Sequence, residues 1–286
     1  MKISVGLPAT VPGARGSDIL EWARQADGGP FESLGIIDRI AYGNHEPLIT
    51  LAAAAGATRR IRLMTTILSA PVRNAVLLAK EVATLDSLSG GRVVLGLGVG
   101  GRKDDYDITS SAFQDRGRTL EEQVNTMRGI WAGQGANGAT LGPRPVQEGG
   151  PEVLIGAGAP AALRRAGRMG DGFISTPNLP DAIRENYNLF LQGWNEGGRR
   201  GEPRLVGAAY YALGDERAIE SGRSYLRDYY GYLGEAADMI AGSMLATPDA
   251  IQGTIQAYGG IGMDELVFWP CVTELAQLQQ LRDVVS

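Results

Sequence analysis

Apolar residues along the chain fall into short continuous or alternating runs, separated by longer stretches of helical period. The short runs lie at Lys2 to Leu7, Leu34 to Ile37, Ile61 to Leu68, Arg92 to Leu97, Val153 to Gly156, Gly172 to Ser175, Leu205 to Leu213 and Glu265 to Trp269. Runs of this kind, rich in β-branched residues and bounded by turn formers, read as strands. The stretches between them read as helices. Asn74 caps one whose apolar face is Leu78, Val82, Leu85 and Leu88, and Gly90 stops it. Leu120, Val124, Met127 and Trp131 form a second stripe. Thr247 before Pro248 and Asp249 opens a third helix, continued by Ile251, Ile255 and Tyr258, and a last one runs from Glu274 with Leu275, Leu278 and Leu281 inward.

Strands that alternate with helices build parallel βαβ units, and eight such units in one chain favour a closed barrel over an open sheet. The predicted fold is therefore α/β, a (β/α)8 TIM barrel. A length of 286 residues agrees with the ~250 residues typical of such a barrel, so residues 1–286 read as a single domain. Two stretches exceed a minimal barrel, and both read as loops. Gly101 to Arg116 is polar and aspartate-rich, and Gly133 to Gly150 is rich in Gly and Pro. The first follows the fourth strand at the mouth, which makes it a candidate substrate loop or lid, or else a solvated excursion.

Composition narrows the function classes. Acids and bases are interspersed at a net charge of −5, which leaves no electrostatic footprint for nucleic acid. The N-terminal residues lack a basic region and no long apolar run exists, so neither a signal peptide nor a membrane span is expected, and the protein is expected in the cytoplasm. A single cysteine, Cys271, excludes an internal disulfide, and a single histidine, His45, offers no partner for a zinc site, so no metal is expected. Glycine is abundant, 41 of 286 residues, and much of it falls where strands end, where bare backbone lets a ligand approach closely.

Gly96-Leu97-Gly98-Val99-Gly100-Gly101 satisfies G-x-G-x-x-G. A dinucleotide fold needs a helix opening at the third glycine. Arg102 to Asp107 reads as loop instead, so this strand end reads as a seat on which a flat ring can lie. Ile155-Gly156-Ala157-Gly158-Ala159-Pro160 precedes a helix-like Ala161 to Arg168. Unpaired N–H groups and the dipole at such a helix start make a phosphate site, although a tight turn without a ligand has the same composition. Thr65 to Pro71 is a strand end whose hydroxyls point to the mouth, a pattern shared by plain core strands. Asp38 and Arg39 end the second strand as a charge pair, either structural or polarising, and His45 in the next loop could shuttle a proton or be a simple surface residue. These three are the candidate catalytic residues. Asp104, Asp105 and Asp107 read as solvated loop carboxylates rather than a cation site. No G-x-S-x-G elbow, P-loop or H-E-x-x-H is present.

The run from Leu77 to Gly98, with Asp86-Ser87-Leu88-Ser89-Gly90-Gly91-Arg92 at its centre, resembles the hallmark helix, turn and fourth strand of the luciferase-like family of flavin- and F420-dependent oxidoreductases. Gly156 to Pro160 and Ala166 to Phe173 are similar to the family's phosphate-binding turn and sixth strand, especially in the F420 branch, and Gly262 to Val267 resembles its last strand. The resemblance implies FMN or coenzyme F420 as cofactor. It places Thr66 and Ile67 where many members have a non-prolyl cis peptide under the ring, and Gly98, Val99 and Gly100 along the ring or its side chain. Ala157, Gly158 and Ala159 would donate backbone hydrogen bonds to the phosphate, and Ser69 and Thr176 complete the implied cofactor-binding set.

The implied reaction is hydride chemistry at the ring on a small organic substrate. With FMN it would be a monooxygenation using O2, and with F420 a two-electron reduction or dehydrogenation, either one served by a flavin or F420 reductase that supplies reduced cofactor. A homodimer is implied by analogy. The chain departs from the family pattern at Asp38-Arg39, where F420-dependent dehydrogenases commonly have Asp-His, and at Gly101, where some have a glutamate. Proton transfer of the sugar-phosphate dehydrogenase type is therefore not expected, unless His45 substitutes. The missing acid and base also suit a non-catalytic flavin-binding barrel, and the Gly156 to Ala159 turn alone suits a non-redox barrel enzyme acting on a phosphorylated metabolite.

Overall fold

The structure, a computed structural model, describes residues 1–286. Its strands are β1 (Lys2–Gly6), β2 (Ser33–Ile36), β3 (Arg62–Thr65), β4 (Leu68–Ser69), β5 (Val93–Gly98), β6 (Glu152–Gly156), β7 (Gly172–Ile174), β8 (Arg204–Tyr211) and β9 (Glu265–Pro270). All pair in parallel, and β1 pairs with β9 to close the sheet into a barrel. β3 and β4 are one barrel strand interrupted at Thr66 and Ile67, since both pair with β5, through Leu63 opposite Val93 and Leu68 opposite Leu97. The closed barrel thus has the eight strands that the apolar runs predicted.

Successive strand residues point to opposite faces, and here both faces are buried, as a parallel sheet requires. Met64, Val94, Leu154, Ile174, Val206 and Val267 fill the barrel interior. Their neighbours Leu63, Val93, Val153, Phe173, Leu205 and Leu266 pack outward against the helices. At the N-terminal end, buried Glu265 accepts hydrogen bonds from Ser4 and Arg204, and Arg204 also binds Glu152. This ionic plug closes one end and leaves the other for the site.

The helices are α1 (Gly16–Asp27), α2 (Pro47–Ala57), α3 (Ala75–Ser89), α4 (Lys103–Ile108), α5 (Arg116–Trp131), α6 (Pro160–Met169), α7 (Pro180–Glu196), α8 (Glu216–Tyr229), α9 (Ala236–Gly242), α10 (Pro248–Gly259) and α11 (Ala276–Val285). The Asn74 side chain caps α3 by accepting from the N–H groups of Val76 and Leu77, and Gly90, in the left-handed region at φ 71°, ends it. Thr247 caps α10 in the same manner.

Two sequence expectations need correction. Leu88 does not share the inward face of Leu78, Val82 and Leu85 but points to solvent. Ten residues at ~100° each carry it about 280° around the helix from Leu78. The stretch after Gly101 is not all loop, because α4 forms within it, anchored by the buried Tyr106 and Asp105. The dinucleotide reading of the glycine run is excluded by the closed barrel topology and not by a missing helix.

After β8 the chain does not pass directly into the barrel helix α10. It first forms α8 and α9, and the inward face of α8, Tyr225, Leu226 and Tyr229, joins Tyr210, Trp269 and Cys271 in a buried cluster. The insertion therefore roofs the mouth over β1, β8 and β9 and leaves the tips of β4 to β7 open. No helix is long and apolar enough to cross a membrane.

Candidate active site

The open half of the mouth is built around Ile67. The Thr66–Ile67 peptide is cis, and the Thr66 hydroxyl donates to the Ile36 carbonyl at 3.0 Å. The Ile67 side chain lies across the bare tips of β5 and β6: a methyl group added at Gly98 or Gly156 would run into its Cδ1 atom. These glycines thus make room for an apolar floor supplied by Ile67, where the sequence reading had the ring lie on the backbone itself. Gly100, at φ 68°, passes over the Ser69 hydroxyl, and the Tyr106 hydroxyl holds the Val99 carbonyl.

Beside this floor runs a cleft of about 620 Å³, bounded by Val99 and Gly100 on one side and by Ala157, Gly158 and Ala159 on the other. It holds two helix N-termini. The N–H groups of Ala161 and Ala162 in α6, and of Gly117 and Arg118 in α5, donate to no acceptor within the chain, and neither helix has a side-chain cap. Such groups carry partial positive charge. Arg116, Arg118 and Arg165 line the same cleft, and the Arg165 guanidinium lies directly over Gly117, where a side chain would displace it. Arg118 is paired with Asp115 at 3.3 Å, whereas Arg165 makes no ion pair or hydrogen bond. The sequence reading missed these arginines, although a signal was present: two cations in the first turn of a helix oppose its dipole, a conflict that a bound anion removes. Thr176, at the tip of β7, is exposed and does not line this cleft.

The three catalytic candidates do not form one constellation. Asp38 and Arg39 are not paired with each other; each is bound to a partner on another segment of the chain. The fully buried Asp38 carboxylate accepts two hydrogen bonds from Arg73, at 2.7 and 3.0 Å, and one from the Ser69 N–H at 2.8 Å. Burial pushes this carboxyl above its usual range, and the opposing pull of Arg73 and the Ser69 N–H is smaller. Arg39 bonds Asp104 at 2.8 Å and lies against the faces of Tyr42 and Tyr229. Asp105, expected as a solvated carboxylate, is buried and accepts from the N–H groups of Ile40 and Ala41 at 3.0 and 2.6 Å. His45 is half-buried, its backbone N–H bonds the Ala9 carbonyl at 3.3 Å, and its imidazole makes no hydrogen bond.

Tyrosines line the roofed half. The hydroxyls of Tyr210 and Tyr230 are 2.6 Å apart, and Tyr225 meets Thr10 at 2.7 Å. Burial lifts the Tyr210 and Tyr225 hydroxyls far above their ordinary range and that of Tyr230 to about 12, so all three stay protonated near neutrality. Arg102 pins this roof to the tip of β5: it bonds the Tyr229 carbonyl and lies 4.0 Å from the ring centre of Tyr232 and 4.6 Å from that of Tyr229.

Residues 1–259 match the sequence profile of the luciferase-like monooxygenase family. The chain is 38% identical over 148 residues to an F420-dependent glucose-6-phosphate dehydrogenase of Nocardia farcinica, a match covering 47% of this chain and 44% of that protein. It spans about 60% of the length of the uncharacterized mycobacterial proteins it matches at 34% identity. Among solved structures, an F420-dependent secondary alcohol dehydrogenase in complex with an F420-acetone adduct superposes with a TM-score of 0.80 at 19% identity, covering 99% of this chain and 98% of that one. The FMN-bound oxygenating constituent of 3,6-diketocamphane monooxygenase from Pseudomonas putida gives 0.75 at 17% identity, covering 100% and 96%. At such identities these two superpositions speak for the barrel alone, while the profile match over nearly the whole chain shows that the protein belongs to the luciferase-like monooxygenase family.

Proposed function

We propose that this chain is a single-domain oxidoreductase that holds FMN or F420, with the ring over Ile67 and the phosphate between the N-termini of α5 and α6, and acts on a small organic substrate. The observation that carries the reading is the continuity of an apolar floor with a cleft of unpaired N–H groups and arginines. A planar ring with an anionic tail fits that sequence of surfaces. Family membership and relatives named for F420 and FMN support the same conclusion.

When bound, the reduced cofactor supplies a hydride, or, in the case of FMN, electrons for oxygen activation. The chain's own residues bind and orient. Gly98, Val99 and Gly100 flank the ring, and Ala157, Gly158 and Ala159 present N–H groups to the phosphate together with Ala161 and Ala162. Asp38 positions Ser69 by accepting directly from its N–H and is itself held by Arg73, and Arg39 holds α4 through Asp104. Neither is free to carry a proton, and His45 is the remaining protein candidate for that task. Because Asp38 and Arg39 are both tied into ion pairs, a non-catalytic cofactor-binding barrel is the second reading, and turnover separates it from the enzyme.

The test is titration of the purified protein with FMN, F420 and riboflavin, followed by assay of the loaded protein with oxygen and carbonyl acceptors. FMN or F420 is expected to bind at least about tenfold more tightly than riboflavin, a difference that Arg165→Ala narrows, since a charge-assisted hydrogen bond contributes about 1.5–3 kcal/mol. If neither FMN nor F420 binds, the proposal falls.

The reading extends to assembly. Leu77 and Leu88 of α3 and Ile49 of α2 are 54%, 68% and 72% exposed along one groove, an apolar surface suited to a second copy of the chain. Light scattering is expected to give a dimer for the wild type and a monomer for Leu88→Glu. A flavin or F420 reductase that delivers reduced cofactor is the proposed protein partner.

A further inference from the structure

We propose that a second cleft, between the β7–α7 turn, α9 and α10, holds the body of an uncharged, largely apolar substrate; the assignment of its occupant as substrate rests on the redox reading above. The cleft has a volume of about 790 Å³, within the ~300–1,000 Å³ of small-molecule sites. Its walls are Leu179 and Pro180 from the turn, Met239 and Ile240 from α9, and Ala257 and Tyr258 from α10. No charged side chain lines it. Its polar groups are few, and the Tyr258 hydroxyl is already committed to the Asn178 carbonyl at 2.7 Å.

The cleft adjoins the mouth at two points, one on its open side and one on its roofed side. Pro177, in its lining, directly follows Thr176 at the tip of β7. Tyr210 bounds the cleft and also belongs to the buried cluster of the mouth, where its ring packs at a tilt against Trp269, with ring centres 4.9 Å apart. A substrate in the cleft therefore has its body behind Tyr210, on the β8 side of the barrel mouth. At the rim, Leu179 and Met239 are 74% and 72% exposed, apolar surface of the kind that marks a binding groove.

The charge inventory sets the substrate class. A phosphate ester buried here would meet no cation, and an unpaired buried charge is strongly disfavoured. Of the cations at the mouth, Arg39 is paired with Asp104, Arg102 is packed against the Tyr229 carbonyl and the tyrosine rings, and Arg116, Arg118 and Arg165 line the separate cofactor cleft, so none lies in the lining of this one. A neutral substrate with an extended apolar body loses little on entering and gains the burial of its hydrocarbon surface.

The experiment uses the neutral fluorophore N-phenyl-1-naphthylamine with the full chain. Its fluorescence is expected to rise saturably and to be displaced by 2-undecanone but not by glucose 6-phosphate. Gly253 lies on the cleft wall of α10, and a Cβ added there meets nothing within 4 Å. Gly253→Trp is thus expected to fold, to retain FMN or F420 affinity, and to lose probe affinity at least about tenfold, the equivalent of 1.4 kcal/mol. Met239→Glu, a rim substitution, should weaken the probe in the same direction. Leu77→Glu in the α2–α3 groove should leave it unchanged.

Probe binding that survives both cleft variants, or is abolished by Leu77→Glu, overturns the cleft assignment. Displacement by glucose 6-phosphate at concentrations comparable to the ketone overturns the neutral class. A change of oligomeric state in Gly253→Trp identifies the cleft as a contact between copies and overturns it as a substrate site. A wild type that binds neither FMN nor F420 overturns the redox reading, and with it the occupant's role as substrate. Cofactor binding that persists while the cleft variants do nothing overturns the cleft alone.

Discussion

Asp38 and Arg73, thirty-five residues apart in the chain, meet through two hydrogen bonds of 2.7 and 3.0 Å inside the rim of the barrel. The same carboxylate holds the Ser69 N–H, so this pair fixes β4 where it passes under Gly100. Asp38→Ala is expected to destabilise the protein by about 3 kcal/mol, because it leaves Arg73 buried without its main partner. It should also weaken cofactor binding. Asp38→Asn keeps an acceptor for Ser69 and is expected to lose less of both. Urea denaturation and cofactor titration measure the two effects, and wild-type stability in the alanine variant would contradict a structural role for the pair.

Gly158 offers a cleaner separation of binding from folding. A Cβ added at this position meets nothing within 4 Å, and the residue lines the open cleft. Gly158→Leu should therefore keep the wild-type circular dichroism and melting temperature. It should lower FMN or F420 affinity by more than about a hundredfold, since two or more hydrogen bonds to a charged group, at roughly 1.5 kcal/mol or more each, are blocked. Unchanged affinity in the folded variant would show that the phosphate does not lie there.

Arg102 joins two segments that the barrel strands do not connect. Its guanidinium bonds the carbonyl of Tyr229 and lies against Tyr229 and Tyr232, at the end of α8 and in the turn beyond it. Arg102→Ala is expected to cost about 1–3 kcal/mol from the lost hydrogen bond and cation–π contacts. The local signature is faster amide exchange across residues 216–242 with the barrel strands unaffected. Uniform acceleration over the whole chain would argue against a local fastening.

Asp27 links stability to acid. Its carboxylate accepts from the N–H groups of Arg59, Arg60 and Ile61 at 2.8, 2.9 and 2.7 Å. Partial burial raises the carboxyl, but the three N–H groups together hold it below its ordinary range. A lowered native value means that this group stabilises the fold above the unfolded-state value near ~3.9. That contribution disappears as pH falls through the native value. Asp27→Asn should be about 1 kcal/mol less stable than wild type at pH ~7, and the gap should close at pH ~2. Denaturation curves at both pH values check the sign, and a gap that widens in acid would refute it.

The strands were legible in the sequence because a doubly buried parallel strand needs apolar residues on both faces, and runs such as Val153 to Ile155 and Glu265 to Trp269 satisfy that locally. The caps at Asn74 and Thr247 were legible for the same reason, since capping acts within three residues. Leu88 was misplaced because its hydrophobicity says nothing about which of two apolar stripes it belongs to; its own angular position, on the side of Leu77 and Thr84, does. α4 escaped notice because the six residues Lys103 to Ile108 carry a single inward anchor ring, Tyr106. Its stability comes from Asp104 and Asp105 reaching back to Arg39, Ile40 and Ala41.

By itself, the amino-acid sequence determined the eightfold alternation of strand and helix, the glycine-bearing tips of β5 and β6 and the small-residue start of α6, because each follows from periodicity, backbone freedom or capping between near neighbours. Only the tertiary structure decided that Asp38 answers to Arg73 and Arg39 to Asp104, that Ile67 floors the space left by Gly98 and Gly156, and that α8 closes half of the mouth. Those are encounters between residues far apart in the chain. Their distances are set by the closure of the barrel, and no local pattern encodes that closure.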